Sequence, residues 1–225
     1  MRRVDGRITH YRLLIDATTA RVRVREKEPE LLPAWCPELH INEGGYFCLG
    51  YGADAPDPVT SPKTADNWWF IVNSFLRLQE RARGLRRWPN GNAWAHGGAA
   101  GYQAIAEEAA NFLSAGLWAA LREGRIRAHR HNKRSLRVTQ SVGRLYTVRT
   151  GDKFQIVNVR QACLCGSGVA MKKCSDHAGH AVTLALALAG MEQALGAFWE
   201  IFKDRPCCGK TTSCPLQFRE AAKAA

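Results

Sequence analysis

The sequence is short of acid and of uninterrupted apolar stretches. Asp and Glu number 20 against 32 Lys and Arg, a formal charge of +12. Such a surplus favours association with any polyanion without choosing between nucleic acid and an acidic protein. No apolar run approaches the roughly 18 to 20 residues needed to cross a bilayer. The longest, residues 178–198, is interrupted by His180, Gly190, Glu192 and Gln193, so no membrane partner is expected. Arg2 and Arg3 have no apolar core behind them, so no signal peptide and a cytoplasmic location are expected. There is no internal repeat, no helix-turn-helix pattern and no paired-histidine zinc finger, which argues against a dedicated nucleic-acid reader. With 46% hydrophobic and 23% charged residues, the chain is neither generally disordered nor fibrous. Its eight cysteines, without an export signal, point to metal binding or chemistry more than to disulfides.

Residues 8–16 and 20–26 have strand character; in the second, Val22 and Val24 alternate with Arg21, Arg23 and Arg25. Thr18 and Thr19 mark the turn between them. A Pro-bounded segment and a turn-rich loop, 50–62, come next. Helices are predicted over about 65–83, where Trp68, Trp69, Val72, Phe75, Leu76 and Gln79 recur at helical spacing, and about 99–122. Both tryptophans of the Trp68–Trp69 pair are expected in the core, and Gly84 and Gly124 as helix stops. A Trp- and Gly-rich connector, 88–98, joins the helices; its His96 is a candidate for lining a site or for bracing the loop. From 122 to 149 nine Lys and Arg face a single acid, Glu123. Strands are predicted at 145–150 and 154–159, and an Ala/Leu helix near 178–203.

Cys163-Leu-Cys-Gly-Ser-Gly-Val-Ala-Met-Lys-Lys-Cys174 presents three thiolates to one ion, on glycines that let the backbone turn tightly. The stretch resembles the SEC-C zinc motif, matched by Cys163, Cys165, Gly166, Ser167, Gly168, Lys172 and Cys174. The resemblance implies a structural zinc. That family has Cys or His directly after the third Cys, where this chain has Ser175. His177 is the first choice as replacement, His180 the second, and Cys207, Cys208 or Cys214 the third. The tail cysteines could equally form another site or remain free thiols.

Around Pro37-Glu-Leu-His-Ile-Asn-Glu-Gly-Gly-Tyr-Phe-Cys-Leu49, a cysteine follows a glycine turn and an aromatic, with His and Asn close by. The spacing resembles ubiquitin-conjugating enzymes, whose active cysteine lies in His-Pro-Asn-Ile-x-x-x-Gly-x-Ile-Cys-Leu. Ile41, Gly45, Cys48 and Leu49 fall on their equivalents, and Phe47 replaces Ile. His40 takes the place of the family's Asn, and Glu38 and Leu39 replace His and Pro. The resemblance covers roughly residues 8–122 and implies a divergent prokaryotic relative with Cys48 as acceptor of a thioester. An oxyanion donor is then needed: His40 by alignment, or Asn42 by chemistry. A buried core thiol, or a metal cluster of Cys36, His40 and Cys48, stays open as an alternative. Cys36, followed by Pro37, is expected to pack.

The reading is an α+β protein: an antiparallel strand meander packed with helices over residues 1–128, then a smaller, basic, zinc-containing α+β domain over 129–225. The resemblance implies a transferase that takes a ubiquitin-like modifier from an activating-type enzyme, in a bacterial conjugation pathway of the antiviral-defence kind. No organic cofactor is implied, and nucleic acid would associate weakly and non-specifically. The rival reading is a non-enzymatic zinc-containing module that binds nucleic acid or protein.

Overall fold

A computed structural model describes residues 6, 8–18, 21–52, 55–89, 94–141, 143–151, 153–157 and 161–217. The protein is mixed α+β and divides into two compact units, Met1–Pro89 with Phe202–Ala225, and Asn90–Ile201.

In the first unit, β1 (Leu13–Asp16) and β2 (Arg23–Glu26) pair antiparallel, with Ile15 opposite Val24. They are shorter than the strands predicted. The chain leaves β1 in a turn where Asp16 Oδ1 accepts from the backbone N–H and the hydroxyl of Thr18; Thr19 lies outside the described residues. Single bridges extend the meander: Arg25 to Tyr46, Ile41 to Phe47, and Cys36 to Ile41. Across them lies α1 (Pro62–Leu85), started by a Ser61–Thr64 capping box with Pro62 in its first turn. The helix buries Trp68, Val72, Phe75, Leu76, Gln79 and Ala82, and its apolar side chains pack with Val24, Leu32, Leu39, Ile41 and Phe47. Each large side chain buried there contributes about 1.5–3 kcal/mol.

Trp69 departs from expectation. It is 41% exposed while Trp68 is 3% exposed. Successive helical residues point about 100° apart, so one narrow face cannot bury both. Gly84 lies inside α1, which ends instead at Arg86 in a left-handed conformation (φ 52°). The 202–217 segment belongs to this unit: Thr212 N–H donates to Arg86 O (2.8 Å), and the Trp35 and Phe202 rings lie 5.2 Å apart.

The second unit contains α2 (Ala99–Leu113), α3 (Ala115–Arg122), β3 (Ile126–Asn132), β4 (Ser135–Gln140), β5 (Gly143–Arg149), β6 (Gln155–Ile156) and α4 (Ala178–Ile201). The single helix expected over 99–122 is two, because Ser114 adopts an extended conformation and caps α3 by accepting from Leu117 N–H. Gly124 (φ 68°) does stop α3, donating to Leu121 O. The strands form one antiparallel sheet in the order β3-β4-β5-β6. The basic stretch therefore includes a hairpin that the charge density hid. Ile126, Ala128, Leu136, Val138, Tyr146 and Val148 are buried, while Arg127 and Arg137 lie between them on the other face.

Helix α4 is the centre of this unit. Ala181, Leu184, Ala185, Ala187 and Leu188 are buried with Ala106, Ala109, Ala110 and Leu113 of α2. At Gly190 an added Cβ would fall 2.5 Å from the Tyr102 ring, so glycine permits this close approach. Contrary to the expectation from its interruptions, α4 is long and apolar enough to cross a membrane by length and composition alone. A core helix passes the same test, and Ala181, Leu184, Ala185, Ala187 and Leu188 of α4 lie in this core. The boundary expected at 128/129 falls inside β3, within the second unit. Helices α2 and α3 share their core with the sheet and α4, so they belong to this unit. In the connector, residues 90–93 lie outside the described residues, as do 158–160 at the end of the predicted 154–159 strand.

Candidate functional site

The chain enters the first site through a tight hairpin. Asn42 N–H donates to Tyr46 O (2.7 Å), Ile41 bridges Phe47, and Cys48 N–H donates to His40 O (2.8 Å). Gly44 (φ 74°) and Gly45 (φ 80°) make the turn, in conformations that side chains rarely adopt. Ile41 and Phe47 are buried in the core. Strand alternation sends Asn42 and Cys48 to the other face. Asn42 is exposed and Cys48 half-buried.

Burial pushes the Cys48 thiol above its ordinary pKa, opposed by the Gly50 backbone N–H and by Asn42. The site thus holds a thiol that is mostly protonated at neutral pH, with an amide donor on the same face. His40 meets Cys48 through its backbone carbonyl. Its own backbone is left-handed (φ 53°), and its ring is buried 4.6 Å from the Trp88 ring centroid, tilted by 55°. Of the two donors expected beside Cys48, Asn42 is the one whose side chain bears on the thiol's pKa. Arginines stand around the turn: Arg23 lies 4.4 Å over the Tyr46 ring, and Arg205 pairs with Glu43.

The second site is in the other unit. Bridge Ala162–Ala170 closes a loop in which Cys163 N–H donates to Val169 O (2.8 Å), with left-handed Gly166 and Gly168 at its tip. The donor atoms of Cys163, Cys165, Cys174 and His177 all lie within 4.8 Å of one another. Cys174 Sγ is 3.1 Å from His177 Nδ1, and Cys165 Sγ is 3.0 Å from Ser167 Oγ. Hydrogen bonds from Ser167 hold the Cys165 thiol down at about 6, while burial pushes Cys163 up to about 11. Cys174 is lowered by His177, whose own value rises in return. Three sulfurs and one imidazole at this spacing fit a tetrahedral metal ion.

Among the alternatives for the fourth position, His180 stacks on Phe112 (4.4 Å, 10°), and Cys207, Cys208 and Cys214 belong to the first unit. His96 packs against Phe198 and Trp199, at 5.3 and 5.5 Å. Two features escaped the sequence reading. Cys36 Sγ lies 2.7 Å from Cys208 Sγ, 172 residues away, and no local pattern signals that pairing. A cavity of about 350 Å³ on the second unit's sheet gathers His131, Arg134, Arg137, Arg144 and Arg149; alternation along β3–β5 would have grouped several of these.

Comparison with known families gives two matches. Residues 1–90 match the prokaryotic E2 domain, and residues 95–216 match the cysteine-rich domain found C-terminal to E2 domains. No curated protein and no solved structure matches the chain.

Proposed function

Because the chain belongs to the family in which a prokaryotic E2 domain is followed by a cysteine-rich domain, we propose that it is a conjugating enzyme carrying a ubiquitin-like modifier as a thioester on Cys48. The observation that carries this reading is Cys48 half-buried beside a glycine turn, on the face of the hairpin it shares with Asn42, whose amide opposes the rise that burial gives the thiol's pKa. In the first step the Cys48 thiolate attacks the carbonyl carbon of the modifier's thioester on an activating-type enzyme. A carbon–sulfur bond forms to Cys48, the old one breaks, and the activating enzyme's thiolate leaves. In the second step a lysine amine attacks the same carbon. The carbon–nitrogen bond forms, the nitrogen releases its proton to solvent, and Cys48 leaves as thiolate. Each step passes through a tetrahedral oxyanion, for which Asn42 is the donor. The His40 carbonyl holds Cys48 in register.

Cys163, Cys165, Cys174 and His177 would hold zinc in a structural role, four protein ligands leaving no open position for chemistry. The partners are the modifier and its activating enzyme, in a cytoplasmic bacterial conjugation pathway of the antiviral-defence kind. The basic cavity on the sheet favours a second reading, a zinc-containing module that binds polyanions. In the conjugating reading, duplex DNA binds weakly and is released steeply by salt.

Incubation with the cognate activating enzyme, modifier and ATP tests the proposal. An adduct cleaved by thiol reductant is expected. Its absence with an active activating enzyme, together with salt-resistant binding to one DNA sequence, would favour the second reading.

A further inference from the structure

Four cysteines meet in the first unit, from segments far apart in the chain. Cys36 stands at the bridge to Ile41, just before the turn Pro37–Leu39; Cys207, Cys208 and Cys214 stand on the returning segment. Cys36 and Cys208 are in direct sulfur contact at 2.7 Å. Cys208 is hydrogen-bonded to Cys207, and Cys207 to Cys214.

The backbone is arranged around these sulfurs as it is around the Cys163 set. Cys208 Sγ accepts from the N–H groups of Lys210 and Thr211, two and three residues on. Cys214 Sγ accepts from Leu216 and Gln217, again two and three residues on. At Cys174 the same pair of donors comes from Asp176 and His177. Cys36 Sγ accepts from Leu39 N–H, and Cys207 Sγ from Gly209 N–H at 3.4 Å. Left-handed Gly209 (φ 67°) allows the turn, as Gly166 and Gly168 do in the other loop.

The geometry points to a second metal site, in which Cys36, Cys208 and Cys214, with Cys207 as the fourth thiolate in reach, bind a thiophilic divalent cation of the zinc type. Among the described residues, the Cys163 set is the group whose donor atoms all lie within 4.8 Å of one another. Here the sulfurs form a chain, Cys36–Cys208–Cys207–Cys214, and binding one ion requires side-chain rotation that parts Cys36 and Cys208 from 2.7 Å to the roughly 3.8 Å that tetrahedral bonds of about 2.3 Å impose. The ion would tie the returning segment to the strand that leads into the Cys48 hairpin, since Cys36 bridges Ile41 and Ile41 bridges Phe47. It would act as a cross-link, with no position open for substrate.

The site is tested by counting metal in the full chain, purified without chelator. The wild type is expected to hold about two zinc ions per chain. Cys163→Ser/Cys165→Ser and Cys208→Ser/Cys214→Ser are each expected to keep about one. Loss of all metal in the Cys208→Ser/Cys214→Ser variant alone, with the other variant keeping its ion, would count against the Cys163 site and leave this one standing. In the wild type, peptide mapping after iodoacetamide should find Cys36, Cys208 and Cys214 protected until a chelator is added. This second readout holds even if a variant fails to fold. Immediate labelling of these three in the metal-loaded wild type, or a Cys36–Cys208 disulfide in place of metal, would overturn the proposal.

Discussion

Asn42 and Cys48 stand on one face of a hairpin whose other face, Ile41 and Phe47, is buried in the core, and the Asn42 amide, as a donor, opposes the rise that burial gives the Cys48 pKa. The placement follows from register. With Ile41 bridged to Phe47, Asn42 and Cys48 sit on the same face, one on each arm.

Asn42→Ala removes that donor. Under the proposed chemistry, transfer from the Cys48 thioester slows by roughly 100- to 1,000-fold, the usual cost of one oxyanion donor. Single-turnover discharge onto free lysine measures it. An unchanged rate would remove Asn42 from the mechanism. His40→Ala, by contrast, leaves a cavity beside Trp88, and its effect should appear in stability as well as in rate.

Cys48 should also report its environment through pH. Burial raises its pKa, so the thiolate fraction at neutral pH is smaller than in an exposed cysteine. Alkylation at Cys48 is expected to be slow near neutrality and to accelerate as pH rises past the ordinary cysteine range near 8.5. Asn42→Ala should shift the profile further to alkaline pH, because a donor to the thiolate is lost. A shift to lower pH would contradict this role.

Chelation provides a third test. Cys163 and Met171 are buried at the base of the metal loop, and both lie in the second unit's core with α4. Cys165→Ser, or chelator added to the wild type, should release one metal ion per binding set and expose amides from about residue 155 to the end of α4 at Ile201 to hydrogen exchange. Unchanged exchange in that region would show that the loop stands without metal.

Much of this arrangement was legible in the sequence, for identifiable reasons. The Cys163 spacing, the Cys48 motif and the period of α1 are local patterns, and local patterns survive in one dimension. The β3–β4 hairpin was obscured because Arg127, Arg130, Arg134 and Arg137 dominate its texture, while the buried Ile126, Ala128, Leu136 and Val138 are spread thinly between them. The assignment of α2 and α3 to the second unit depends on alanine faces that meet α4, a tertiary preference that no cap or breaker marks. Alignment points to His40 for the oxyanion role, whereas Asn42 has only its chemistry to mark it. The left-handed backbone at His40, which accompanies the packing of its ring on Trp88, is a feature of the folded chain. The Cys36–Cys208 contact joins residues 172 positions apart and has no sequence signature.

Tyr146 sets the alkaline limit of the second unit. Its hydroxyl donates to Ala181 O (2.9 Å), and burial raises its pKa far above the ordinary value. The folded state keeps this proton while the unfolded chain releases it near pH 10, so the stabilisation is complete below about pH 10 and falls as pH climbs above it. Tyr146→Phe should cost about 1 kcal/mol at neutral pH through the lost hydrogen bond. It should also flatten the decline in urea midpoint toward alkaline pH. Tyr11, raised by burial and by Glu80 in the first unit, leaves a residual slope.

The most direct measurement is the location of the modifier after loading. With activating enzyme, modifier and ATP, the wild type is expected to give an adduct that thiol reductant cleaves, mapped to Cys48 by mass spectrometry. Cys48→Ser should give an oxyester that survives reductant, and Cys48→Ala no adduct at all. A reductant-sensitive adduct that persists in Cys48→Ala would place the reacting thiol elsewhere and contradict the account.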